Sequence, residues 1–197
     1  MDDMEIRIFN CYQSASVVAD YVDRGTAWYS NYRELLNNNR GTVPLKNACG
    51  VIAVSSINTN PTQGMNWATK FMRGVLNGHL QVACNRAATI LTMLEDNLDA
   101  ILYTACPATS PARKVRNFGC NVFTGGMHCS HIVPCVTVDR WANRIATGDM
   151  KAGVPSGKNY DAIADAYRSV AQIVGLPVAI LQAITWVSVA EPNGPKN

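Results

Sequence analysis

The chain has 197 residues, 48% of them hydrophobic and 16% charged, with a formal net charge of +3. That balance excludes a disordered or fibrous chain and supplies enough apolar side chains for one core of ordinary size. No apolar run approaches the roughly 20 residues needed to cross a bilayer, and the start Met1-Asp-Asp-Met-Glu lacks the basic-then-apolar order of a secretory signal, so the expectation is a cytoplasmic protein without membrane contact.

Pro and Gly punctuate a series of helix-length segments, with no repeat and no low-complexity linker. Ser14 to Arg24 carries Val17, Val18, Tyr21 and Val22 at helical spacing. Gly25 is expected to break that helix, and Thr26 to Asn37 resumes with Trp28, Tyr32, Leu35 and Leu36 on one stripe. Leu45 to Ile57 is apolar nearly all round, the mark of a buried central helix. Pro61 opens a helix running to about Leu76. Further helices are expected at 83–95, 97–104, 110–123, 137–147, 158–174 and 177–189, with Ser156 or Asn159 capping the helix at 158–174 and Gly175-Leu-Pro177 separating the last two. Sustained period-two alternation is absent. The pattern predicts an all-α, compact orthogonal bundle in a single domain over 1–197, with 1–24 peripheral and 190–197 a flexible tail.

Seven cysteines, at 11, 49, 84, 106, 120, 129 and 135, form an odd set without a CxxC pair. Cys49 and Cys84 sit in apolar helical stretches, where a thiol behaves as a small hydrophobe, so a reduced compartment is expected. The stretch Gly125-Gly-Met-His-Cys-Ser-His-Ile-Val-Pro-Cys offers His128, Cys129, His131 and Cys135 as zinc ligands. Their spacing matches no common finger, and adjacent His-Cys ligands are sterically awkward, so an ordinary loop without metal is the better expectation.

Two residues stand out for chemistry. Asp139 follows the β-branched run Val136-Thr137-Val138 and directly precedes a helical pattern. It therefore sits at a helix N-terminus, where free N–H groups and the macrodipole attract negative charge. A plain N-cap is the commonest job of such an aspartate. Lys114, in the first turn of a helix opened by Ser110-Pro111, is flanked by Arg113 and Arg116. Neighbouring positive charge should make its proton easier to lose, and a neutral amine is the better nucleophile. The alternative is a surface lysine that holds phosphate or keeps the helix soluble. Arg113, Lys114, Arg116, Arg140 and Arg144 gather in one stretch of sequence, and such a patch contacts phosphate or simply solvates a helix face. Trp28, Trp67, Trp141 and Trp186 all lie in amphipathic segments and read as core packing. Asp165 and Arg168 are spaced for an i,i+3 pair, and Gln182 faces either a cleft or solvent.

The order Lys114…Asn121…Val138-Asp139 resembles that of helix-hairpin-helix DNA glycosylases of the endonuclease III type. Their active-site lysine precedes a "VDTH" segment. Cys49-Gly-Val-Ile-Ala-Val-Ser-Ser-Ile-Asn-Thr-Asn is similar to the family's buried helix and "LLSAQATD" motif, with Ser56 and Asn58 at the small-residue and DNA-probing positions. The chain is also similar to small, poorly characterised bacteriophage proteins of this type. Their Gly-x-x-Trp-Tyr, "TVDRHA" and "YR…LG…QAITW" segments match Gly25, Trp28 and Tyr29; Thr137-Val-Asp-Arg-Trp-Ala; and Tyr167-Arg168, Val174-Gly175 and Gln182 to Trp186. The similarity spans about residues 25–187.

The resemblance implies a glycosylase-type helical fold and a DNA partner contacted by Ser56, Asn58, Arg113, Arg116, Asn121, Arg140 and Arg144. It implies a flipped, modified base entering a cleft between two helical halves. There Asp139 stabilises charge on the sugar and Lys114 attacks the anomeric carbon, giving glycosylase activity with possible strand cleavage at the abasic site. A phage-encoded chain would work in the host cytoplasm. Three departures stand out. The stretch Ala105 to Lys114 has no glycine where the family's hairpin offers N–H groups to phosphate. The C-terminal four-cysteine iron–sulfur cluster is absent, so no cofactor is implied. Trp141 replaces the histidine that follows Asp-Arg, which marks that position as packing. Two other functions fit the same residues: a phage enzyme that hypermodifies thymine by displacing an activated group on the base, and a non-catalytic module that binds DNA or protein.

Overall fold

The computed structural model describes residues 1–193 except 57, 58, 60, 75–80, 95–97, 99, 102–109, 128–134 and 156. Among the described residues the chain forms α1 (Asp3–Ser16), α2 (Ala19–Asn39), α3 (Leu45–Ser55), α4 (Pro61–Met72), α5 (Gln81–Thr92), α6 (Ser110–Thr124), α7 (Arg140–Thr147), α8 (Gly157–Val174) and α9 (Val178–Asn193), with no strand. The protein is all-α. None of these helices is by itself long and apolar enough to cross a membrane. The chain divides into two compact units, Met1–Tyr29 with Gly126–Asn197 (unit 1) and Ser30–Gly125 (unit 2).

Unit 1 is built around α9, whose residues Val178 to Thr185 are all buried. Against it pack α1, α7 and α8. Ile8 of α1, Val136, Val138, Ile145, Ile163, Tyr167, Val170 and Leu181 share one apolar cluster. Residues 1–24 thus supply buried side chains, Ile8 and Ala15 among them. A capping box starts α1: Asp2 Oδ1 accepts from the Glu5 N–H at 2.9 Å, and Glu5 Oε2 accepts from the Asp2 N–H at 2.8 Å. The turn between α8 and α9 follows the Gly175-Leu-Pro177 signal. Gly175 takes a φ of +71°, which only glycine adopts cheaply, and the Leu176 N–H returns to the Ala171 carbonyl.

Unit 2 is built around α3, where every residue from Asn47 to Ser55 is buried, as its apolar sequence predicts. Helices α4, α5 and α6 pack on it. Asn47 donates through Nδ2 to the Ile90 and Met93 carbonyls at 2.6 and 3.1 Å, closing the C-terminal end of α5 from inside. Ser55 Oγ bonds the Gly64 carbonyl of α4 at 2.9 Å. Burial pushes the Cys49 thiol of α3 up to about 12, so it is an inert core residue.

Several boundaries differ from expectation, each for a physical reason. Gly25 does not break a helix; it lies inside the continuous α2, and the interruption falls at Val17-Val18 instead. A Cβ at Gly25 would stand 2.5 Å from Ile184 Cα, so the glycine is there to let the α9 backbone approach. The helix expected at 137–147 begins at Arg140, because residues 136–138 are not helical, the Val138 N–H turning back to the Val136 carbonyl at 3.0 Å, and Asp139 is the cap. Helix α4 ends at Met72, before Gly74 with a φ of +75°. Asn159 lies inside α8, which starts at Gly157, while the alternative cap Ser156 is outside the described residues. Of the helix expected at 97–104, Leu98, Ala100 and Ile101 are described, and they are helical.

Gly25 gives the first test. Alanine gains about 1 kcal/mol in helix propensity over glycine, but overpacking against a backbone atom costs roughly 1–3 kcal/mol and wins. Gly25→Ala is expected to lower the urea unfolding midpoint, and Gly25→Val to lower it further. An alanine variant as stable as the parent would contradict the close approach of α2 and α9.

Candidate functional site

Several residues singled out in the sequence, Trp28, Tyr29, Asp139, Gln182 and Trp186, meet inside unit 1. Asp139 caps α7: its Oδ1 accepts from the Trp141 and Ala142 N–H groups, both at 2.9 Å. Its Oδ2 accepts from the Trp186 indole Nε1–H at 2.9 Å. The Trp186 ring lies against Trp28, with centroids 4.8 Å apart and planes inclined by 44°. One residue further along α2, the buried Tyr29 hydroxyl donates to Gln182 Oε1 at 2.9 Å and lies 3.2 Å from Thr137 Oγ1. Tyr167 OH pairs with Thr185 Oγ1 at 3.3 Å, and burial raises the pKa of its phenol. Gly25 makes room for Ile184 between these partners.

The approach to Asp139 is fixed as well. Tyr160 OH donates to the Val136 carbonyl at 2.7 Å and accepts from the Val138 N–H at 3.2 Å, which clamps the segment before the cap. Asp139 therefore has three donors on its two oxygens and remains only half-buried. A carboxylate so held is an oriented negative charge beside two half-buried indoles. Its fixed orientation suits the stabilisation of a positive charge placed beside it.

A second group of expected residues lies in unit 2. Lys114 Nζ donates to the Ser56 carbonyl at 3.4 Å, at the C-terminal end of α3. The helix dipole attracts a cation there. Lys114 and Ser56 are thus neighbours, while the Ser56 hydroxyl bonds back to the Ala53 carbonyl at 2.7 Å. Arg113 and Arg116 flank Lys114 on α6 and are half-buried, and Asn121, further along the same helix, is only 3% exposed. Asn58 lies outside the described residues. In unit 1, Arg140 is exposed, whereas Arg144 donates through Nε to the Ala152 carbonyl at 3.1 Å and lies 4.5 Å over the Trp141 ring. Arg144 and Trp141 thereby hold the surface of α7 together. Among the described residues no three His, Cys, Asp or Glu side chains come together to hold a metal. Cys135 is half-buried, and His128, Cys129 and His131 lie outside the described residues.

A family model covers residues 1–193. The chain belongs to DUF7178, a family of unknown function. No curated protein and no solved structure matches it.

Sequence reasoning marked Asp139 in this DUF7178 chain but missed Trp186 as its partner, and it left Gln182 between cleft and solvent. Gln182 is 3% exposed and bonded to Tyr29, so it faces neither. The one signal was the resemblance drawn on Trp28-Tyr29, Val138-Asp139-Arg140 and Gln182 to Trp186, which flagged the positions without saying that they touch. Of the remaining expectations, the Asp165–Arg168 pair forms at 2.6 Å, and Trp67 stacks on Phe71 with centroids 5.2 Å apart.

A double-mutant cycle tests this site. Trp186→Phe removes the indole donor and is expected to destabilise by about 1–2 kcal/mol, the cost of losing a hydrogen bond to a charged group. In Asp139→Asn the same substitution should cost at least about 1 kcal/mol less, since coupled residues are non-additive. Additive effects in urea unfolding would mean that the indole and the carboxylate do not interact.

Proposed function

We propose that this DUF7178 chain is a DNA base-processing enzyme, a glycosylase-like helical protein with possible abasic-site lyase activity that acts on a flipped, modified base. One observation carries the reading. Asp139 is a carboxylate fixed by two backbone N–H groups and an indole N–H, half-buried beside paired tryptophans, at the head of the Val-Asp-Arg segment that resembles the glycosylase motif. Such a group is equipped to stabilise the cationic sugar that forms as a base departs. In this reading Lys114 supplies the nucleophile. Its nitrogen bonds to C1′ while the C1′–N bond breaks, and the base leaves with that electron pair and takes up a proton. Loss of the amine proton and opening of the sugar ring then give a Schiff base.

A second reading draws on the Lys114 geometry. An amine that donates to a carbonyl at a helix C-terminus, between Arg113 and Arg116, is arranged as a charge-holding group. That arrangement favours retention of a leaving pyrophosphate, as in thymine hypermodification, over attack on the sugar.

Borohydride reduction during incubation with a panel of oligonucleotides bearing modified bases separates the two. The glycosylase–lyase reading expects a covalent protein–DNA adduct that Lys114→Ala abolishes and Asp139→Asn reduces at least about 100-fold, as loss of an electrostatic stabiliser does. Failure to trap an adduct across the panel contradicts Lys114 as the nucleophile.

A further inference from the structure

Charge is divided unevenly between the two units. Unit 2 holds nine Lys and Arg against four Asp and Glu, a formal charge of +5. Three of those four acids, Glu95, Asp96 and Asp99, fall together, which leaves Glu34 as the only acid elsewhere in the unit. Unit 1 holds eight Lys and Arg against ten Asp and Glu, a charge of −2, and the two add to the chain's +3. The modest overall charge therefore hides a basic unit and an acidic one.

In unit 1, Arg7 pairs with Asp3, Arg24 with Asp20 and Glu191, and Arg168 with Asp165. In unit 2 four acids cannot neutralise nine cations, however they are arranged. Its cations also come from several elements: Arg33 and Arg40 from α2 and the residue after it, Lys70 from α4, Arg73 just beyond it, and Arg113, Lys114 and Arg116 from α6. Arg33, Lys70 and Arg73 are exposed. Arg73 reaches back to Asn39 Oδ1 at 3.0 Å, which places it at the C-terminal end of α2. A net charge of +5 adds nothing to the stability of a unit, because self-repulsion opposes compaction.

We infer that unit 2 is the part that holds the DNA sugar–phosphate backbone, and that unit 1 adds no salt-dependent affinity. The inference rests on the DNA reading above and says where that DNA is gripped. Backbone binding driven by charge releases counterions, so affinity falls with salt with a log–log slope of about −0.9 per phosphate neutralised. An excess of five positive charges corresponds to a slope of about −4 to −5, a fall of several hundredfold, roughly, between 50 and 200 mM salt.

Fluorescence anisotropy of a labelled duplex of about two helical turns, titrated with the full chain over a range of salt, tests this. The triple variant Arg33→Glu, Lys70→Glu, Arg73→Glu is expected to bind at least about 100-fold more weakly at low salt and to show a slope shallower by about three. The control Lys151→Glu, Lys158→Glu, at two exposed cations of unit 1, should change affinity less than about threefold. Circular dichroism and urea unfolding establish that both variants fold. Equal losses in the two variants, or binding of the parent without salt dependence, would overturn the inference. The base-processing reading fails separately: salt-dependent binding localised to unit 2 but no adduct and no altered base would sink that reading and leave this one standing.

Discussion

An aspartate that caps a helix usually satisfies backbone N–H groups with its carboxylate and leaves its remaining acceptor capacity to water. In unit 1 the second oxygen of Asp139 takes the indole N–H of Trp186 instead, and much of the surrounding structure follows from that bond. Trp186 reaches the cap because α9 packs on α7, and on its other side α9 runs so close to α2 that position 25 must lack a Cβ. Once the two helices are close, Trp28 meets Trp186 and Tyr29 meets Gln182 and Thr137. The polar atoms that converge here are bonded to one another, as burial demands.

Unit 2 follows a similar plan with a different outcome. A helix buried on every side, α3, is surrounded by α4, α5 and α6, and its C-terminal end receives the Lys114 amine through the Ser56 carbonyl. Dipole attraction alone explains why a cation sits there. The concentration of further cations in the same unit is not explained by helix ends. Three of the unit's nine cations, Arg33, Lys70 and Arg73, are exposed, and the other six are half-buried.

The helices were largely legible in the sequence, because periodicity and Pro/Gly punctuation act locally. The all-apolar run at Leu45 marked the buried helix, Pro61 marked the start of α4, and Gly175-Leu-Pro177 marked the last turn. Asp139 as an N-cap was legible for the same reason. Gly25 was not. Glycine in a helical pattern reads as a breaker on local propensity, and only a tertiary contact, the backbone of Ile184, turns it into a requirement. Helix α1 was missed although Asp2 and Glu5 form a capping box in plain view, because its apolar stripe is narrow: only Ile8 and Ala15 are fully buried. The bond between Asp139 and Trp186 joins residues 47 positions apart, and no local rule reaches that far.

The central claim is that the fixed carboxylate of Asp139 serves chemistry on DNA bases as well as capping a helix. The most direct measurement is mass spectrometry of the bases and nucleosides in DNA rich in modified bases, after incubation with the parent protein or with Asp139→Asn. A free base or an altered nucleoside that appears with the parent and not with a folded Asp139→Asn variant is the predicted result. Identical base and nucleoside profiles with the two proteins would contradict it, and would leave Asp139 as a helix cap alone.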